Sequence, residues 1–188
     1  MRIIAGDYKG RKIFEPIDKE TRPLKDLTKE SIFNILEHSK NMKISFKESI
    51  VLDLFSGTGS FGLECVSRGS SKVYFIEQHK PSIKILNKNI KKLNCEKKIK
   101  LFSENVFNIK KIKKIKESKF NIIFLDPPYK EKNIILLLNE INEMNILTNK
   151  GIVVLHRHKK SVNNFDNKFK ILRTESYGIS KIIFIKFN

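Results

Sequence analysis

Ile50-Val51-Leu52-Asp53-Leu54-Phe55-Ser56-Gly57-Thr58-Gly59-Ser60-Phe61-Gly62 is the stretch whose reading decides the fold. Ile50 to Leu54 is an apolar run that reads as a buried strand, and the glycines that follow turn the chain into a helix from Gly59 to Arg68. Working outward, further strand-like runs recur at Val73 to Ile76, Lys100 to Phe102, Phe120 to Leu125 and Ile152 to Leu155. Helical stretches separate them, from about Pro81 to Leu93, Val106 to Lys116 and Lys132 to Met144. Strands that are nearly all apolar, alternating with helices, predict an α/β fold with a mostly parallel sheet covered on both faces. Two last strands, Lys170 to Thr174 and Lys181 to Phe187, meet around Tyr177-Gly178 and predict a hairpin that supplies one antiparallel member.

Ahead of this alternation lies a different kind of sequence. Arg2 to Ala5 and Lys12 to Phe14 read as a hairpin joined by Gly6-Asp7-Tyr8-Lys9-Gly10, and Thr21-Arg22-Pro23 reads as a rigid extended turn. Helical spacing follows from Lys25 to His38, with Asp26 or Thr28 as the expected cap. The division predicted is an N-terminal hairpin-plus-helix extension over residues 1–45 and a main domain over 46–188.

The chain of 188 residues carries 38 Lys and Arg against 20 Asp and Glu, a net charge of +18 that favours a polyanionic partner, nucleic acid first. Richness in Lys, Asn and Ile together is also what an AT-rich genome produces, so charge by itself is modest support. Cys65 and Cys95 have no paired spacing, which excludes a disulfide framework or zinc ribbon and suits a reducing cytoplasm. No apolar run reaches the roughly 18 residues of a membrane span. His156 and His158 alternate at a strand end with no nearby acid in sequence, so they read as exposed histidines and no metal is expected.

Gly57, Gly59 and Gly62 form a literal Gly-x-Gly-x-x-Gly, and Glu77 ends the next strand, which formally matches a dinucleotide fingerprint. Asp53 opposes that reading. It sits where a pyrophosphate would approach, and like charges at about 4 Å repel by roughly 1–4 kcal/mol even at high effective dielectric. S-adenosylmethionine has an ammonium and a sulfonium instead of phosphates. Asp53 suits its cationic portion, the Phe55-Ser56-Gly57-Thr58-Gly59 backbone its close approach, and Glu77 its ribose hydroxyls. Asn105 and Val106, just past the third strand, are the expected adenine contacts, with a helix cap as an equal role for Asn105.

Asp126-Pro127-Pro128-Tyr129 ends the Phe120 to Leu125 strand. Prolines lack an amide hydrogen, so the turn offers carbonyl acceptors with few competing donors. Asp126 and the Pro127 carbonyl suit the two hydrogens of a planar amino group, Pro128 stiffens the turn, and Tyr129 suits stacking on the ring. Beside a methyl donor this predicts methyl transfer to a conjugated exocyclic nitrogen, catalysed by positioning and electrostatics.

Over nearly its whole length the chain resembles the RsmD family of bacterial methyltransferases. The resemblance is carried by Arg2-Ile3-Ile4-Ala5-Gly6, Tyr8-Lys9-Gly10-Arg11, Thr21-Arg22-Pro23, Glu30 to Leu36, Leu52 to Gly59, Gly62-Leu63-Glu64, Ser67-Arg68-Gly69, Phe75-Ile76-Glu77 and Phe124 to Tyr129. It implies a Rossmann-like seven-stranded S-adenosylmethionine-dependent methyltransferase sheet. It also implies methylation of a guanine N2 amino group in 16S ribosomal RNA, within a small-subunit ribonucleoprotein, by a cytoplasmic monomer. On the same carry-over Arg2, Lys9, Arg11 and Arg22 are RNA contacts. Asn105 stands where the family usually has aspartate, and His156 where an acid is common. The alternatives are a DNA adenine-N6 methyltransferase, a protein glutamine methyltransferase, a nicotinamide-dependent oxidoreductase and an inactive RNA-binding assembly protein.

Overall fold

The computed structural model describes residues 1–16 and 24–188. Thr21-Arg22-Pro23, the extended turn expected from sequence, therefore lies outside the described residues. The elements in order are α1 (Asp26–His38), β1 (Ile50–Leu54), α2 (Ser60–Ser67), β2 (Lys72–Glu77), α3 (Lys80–Leu93), β3 (Ile99–Ser103), α4 (Lys113–Lys116), β4 (Phe120–Leu125), α5 (Ile134–Glu143), β5 (Leu147–His158), β6 (Phe169–Tyr177) and β7 (Ser180–Phe187). They form one seven-stranded sheet in the order β3-β2-β1-β4-β5-β7-β6. β1 pairs in parallel with both β2 and β4, β4 with β5, and β7 runs antiparallel to β5 and β6. β7 is thus the antiparallel member expected from the short Tyr177-Gly178 connection.

Strand order reverses between β1 and β4, and open α/β sheets bind ligands at such a point, beyond the carboxyl ends of the strands. Successive side chains divide between two cores. Val51, Ile122 and Phe124 join α1, α2 and α3 on one face; Leu52, Leu54, Ile123 and Leu125 join α5 on the other. Phe61 of α2 stacks on Phe124 of β4 with centroids 3.9 Å apart, which locks α2 over the switch point.

The N-terminal residues belong to the first of these cores, through Ile3, Ile13, Ile32, Phe33 and Leu36. Backbone bonds Ile3 N–H to Arg11 (2.9 Å) and Gly10 N–H to Ile3 (2.9 Å) close the expected hairpin. Its turn presses on the end of α2: a Cβ on Gly6, whose φ is +80°, would stand 1.8 Å from the Ser67 carbonyl oxygen. No side chain larger than hydrogen fits there. Glu64, fully buried in α2, accepts the Ile4 N–H (2.7 Å) and Ala5 N–H (2.9 Å), while Arg68 Nε donates to it at 3.0 Å. The ammonium of Lys29, also fully buried, lies 3.6 Å from Glu64 and donates to the Arg2 carbonyl at 2.8 Å. Burial lowers the Lys29 pKa, outweighing the pull of Glu64 in the other direction.

Three local expectations are corrected. Neither Asp26 nor Thr28 caps α1: Lys25 holds the cap position without a side-chain bond, and Asp26 falls inside the first turn. The helix expected over Val106 to Lys116 is a 3₁₀ segment, Val106–Lys111, then the single turn of α4. Ile109, Ile112 and Ile115 recur every third residue, the 3₁₀ period, and branched side chains disfavour a regular α-helix. β5 starts at Leu147, ahead of Ile152, because an irregularity in its pairing with β4 absorbs the Asn149-Lys150-Gly151 stretch. Among the described residues no helix is long and apolar enough to cross a membrane.

Candidate active site

The loop between β1 and α2 takes an unusual path. Phe55 (φ +57°), Gly57 (+53°) and Gly59 (+84°) all adopt left-handed backbone, which two glycines tolerate and Phe55 does only with strain. Phe55 is thereby turned toward Phe107 beyond β3, with ring centroids 6.1 Å apart. Gly62, the third glycine, serves packing: a Cβ there would meet the Phe75 ring at 2.3 Å.

Asp53 is buried beneath this loop, and its Oδ2 accepts the Gly62 N–H at 2.9 Å. Burial holds its carboxyl well above the usual carboxylate range; the Gly62 bond pulls it down, and the charges of Asp126 and Glu77 push it further up. Glu77 Oε2 accepts the Gly57 N–H (2.7 Å) and its Oε1 accepts those of Gln78 (2.9 Å) and His79 (2.8 Å). A carboxylate has about four lone-pair sites. Glu77 therefore has room for one further donor while these bonds stand. Asn105 is the cap of the 3₁₀ segment, its Oδ1 accepting the Phe107 N–H at 2.9 Å, with Val106 buried beside it.

Asp126 emerges from β4 next to this loop, its backbone N–H directed at the Leu54 carbonyl at 3.3 Å. Asp126, Asp53 and Glu77 thus converge from the ends of β4, β1 and β2, three neighbouring strands. Three acidic side chains brought together at these strand ends disfavour phosphates and suit a cationic ligand, whose charge would favour the ionised form of Asp53. Their donor set fits a sulfonium and ammonium group, and it fits a pyrophosphate poorly.

Two residues that sequence reasoning missed grip the turn. His156 is 7 % exposed, against the expectation of an exposed histidine, and its Nδ1 lies 2.7 Å from Asp126 Oδ1. Burial lowers the His156 pKa, but the Asp126 charge and hydrogen bond outweigh it, so the net displacement is upward. Arg157, buried, donates from Nη2 to the Glu131 carbonyl at 2.8 Å and holds the segment after the turn. Tyr129 stands edge-on to His158, centroids 5.1 Å apart, and to His156 at 6.4 Å. Strand register is what brings His156 to Asp126. β4 and β5 pair Leu125 with Leu155, so the next residue of each strand, Asp126 and His156, must meet.

Two of the basic candidates, Arg2 and Arg11, share the hairpin: Arg2 bridges Lys12, and the Arg11 carbonyl accepts the Ile3 N–H at 2.9 Å. Arg2 lies toward the carboxyl edge of the sheet, its carbonyl sharing the Lys29 ammonium with Ser60, the first residue of α2. Lys9 and Arg11 are exposed at the hairpin turn, which docks on Ser67 at the other end of α2. Arg22 lies outside the described residues. Asn89 couples the extension to the glycine loop: its Nδ2 donates to the carbonyls of Phe14 (3.1 Å) and Thr58 (3.0 Å). Among the described residues no group of three or more His, Cys, Asp or Glu could hold a metal ion.

Both the sequence and the fold have counterparts among known proteins. The family described as "Conserved hypothetical protein 95" matches residues 1–186. "Putative rRNA methyltransferase YlbH" of Bacillus subtilis is 32% identical over 187 residues, covering 99% of this chain and 98% of its own. "Ribosomal RNA small subunit methyltransferase D" of Haemophilus influenzae is 29% identical over 180 residues, covering 95% and 90%. Among solved structures, "Putative methyltransferase yhhF from Escherichia coli" superposes with TM-score 0.80 at 21% identity, over 100% of this chain and 97% of that one. A structure described as "a putative methyltransferase complexed with SAH" superposes with TM-score 0.64 at 15% identity, over 83% and 48%. With the family match spanning almost every residue, the chain belongs to the conserved hypothetical protein 95 family, the RsmD family.

Proposed function

We propose that this protein is an S-adenosylmethionine-dependent methyltransferase that modifies the exocyclic N2 amino group of one guanine in small-subunit ribosomal RNA. The single observation that carries the chemistry is the convergence of Asp126 with Asp53 and Glu77 at the switch point of the sheet. The substrate rests on the relatives named as ribosomal RNA methyltransferases.

When bound, S-adenosylmethionine supplies an electrophilic methyl group on a positively charged sulfur. Asp53 and the Phe55-Ser56-Gly57-Thr58-Gly59 backbone would hold its methionine portion, and Glu77 one ribose hydroxyl. Val106, Phe107 and Phe55 would flank its adenine, with Asn105 at the edge. On the acceptor side, Asp126 and the Pro127 carbonyl would accept the two amino hydrogens, drawing the nitrogen lone pair out of conjugation with the ring. His156 would donate Nδ1–H to Asp126 Oδ1 and leave the other oxygen for the amino group. Pro128 fixes the turn and Tyr129 would stack on the base, which must leave any paired stack to reach it. A small-subunit ribonucleoprotein as substrate, a cytoplasmic monomer, residues 1–45 as the RNA-holding part and residues 46–188 as the catalytic domain complete the proposal. Arg2, Lys9, Arg11 and Arg22 would make phosphate contacts.

The test is mass mapping of methylated nucleosides in small-subunit RNA from cells with and without the gene. Loss of N2-methylguanosine at one position is expected; an unchanged RNA map with N6-methyladenine lost from DNA would move the assignment to the adenine enzymes.

A further inference from the structure

Beyond Tyr129, on the side away from the cofactor loop, an open cleft of about 680 Å³ runs between the segment after the Asp-Pro-Pro-Tyr turn and the loop joining β5 to β6. Tyr129, Lys130, Lys132, Arg157, Lys160 and Asn163 line it. Glu131 shares the wall, but its Oε1 is tied to the Asn133 N–H at 2.7 Å. The loop is built: Lys181 Nζ donates to the Ser161 carbonyl at 2.5 Å, and the Ser161 N–H to the His158 carbonyl at 2.9 Å.

We propose that this cleft receives the RNA backbone next to the methylated nucleotide, an assignment that rests on the RNA methyltransferase reading above. Three lysines, Lys130, Lys132 and Lys160, offer hydrogens and positive charge along the cleft, which is what phosphodiester oxygens accept. Tyr129 is both the wall of the cleft and part of the motif, so a strand lying in it delivers its next base to Asp126. Val162, 84 % exposed on the same rim, offers an apolar surface to a neighbouring base.

The experiment uses the full chain and a fluorescent oligouridylate of about twelve nucleotides, titrated at several salt concentrations. Lys132→Gln with Lys160→Gln tests the cleft; Lys111→Gln with Lys114→Gln, exposed lysines beyond β3, is the charge-matched control. The cleft variant is expected to lose about tenfold in affinity and about 1.4 from the salt slope, two single-strand phosphate contacts. Its thermal shift with S-adenosylhomocysteine should stay that of the unaltered protein. Equal losses in both variants, no binding by the unaltered protein, or preferential cleft-dependent capture of an oligoglutamate peptide would each overturn the assignment. Failure of the guanine reading shows elsewhere, as an unchanged nucleoside map beside a cleft-dependent loss of oligouridylate binding.

Discussion

The two halves of the crevice are finished to different degrees. On the side of β1, β2 and β3, Glu77 already accepts three backbone N–H groups and Asp53 one, so the loop is held in place by the protein itself. On the side of β4 and β5, Asp126 has His156 as its side-chain partner, and among the described residues His156 Nε2 is buried without one. The first half is preorganised for a ligand of fixed shape. The second opens onto the lysine-lined cleft beside Tyr129. The difference teaches that bond saturation, more than burial, separates the proposed cofactor seat from the proposed substrate seat in this molecule.

Unequal consequences of substitution follow from that contrast. Asp126→Ala should lower methyl transfer by several orders of magnitude while isothermal titration shows S-adenosylhomocysteine still bound, since Asp126 holds no part of the glycine loop. Unchanged turnover would remove Asp126 from the chemistry. Glu77→Ala releases three N–H groups at once and should weaken S-adenosylhomocysteine binding by about a hundredfold, near 2.7 kcal/mol. NAD should raise the melting temperature of neither protein; a rise in the unaltered protein would break the inference drawn from the three carboxylates.

The smallest effect belongs to His156. Its pKa is raised above 6.5 by Asp126, so its stabilising contribution is full below the unfolded value and fades as pH climbs through the folded one. The melting temperature of the unaltered protein should exceed that of His156→Leu by a few degrees near pH 6, and the gap should close toward pH 9. A constant gap would mean that His156 merely packs.

Much of this site is legible in the sequence. Leu52 to Gly59, Glu77 and Asp126 to Tyr129 each end a strand, and the binding edge of an open α/β sheet is the edge where parallel strands end. The acid-to-acid convergence follows from that rule alone. His156 escapes because local sequence shows only a histidine at a strand end; its partner lies thirty residues away and meets it through strand register. Glu64 and Lys29 escape for a related reason. A glutamate and a lysine on helices read as solvated surface, and only the docking of the hairpin turn on α2 buries them.

What the sequence by itself determined is the order of strands and helices, the acids at the strand ends and the proline turn, because these depend on periodicity and on backbone chemistry within a few residues. What only the tertiary structure decided is which charges are buried and which donors are spent. Glu77 is left with one open acceptor site, Asp126 is paired to His156, and Arg157 is tied to the Glu131 carbonyl. Those facts depend on which distant segments share a register or a helix end, and no local pattern carries that information.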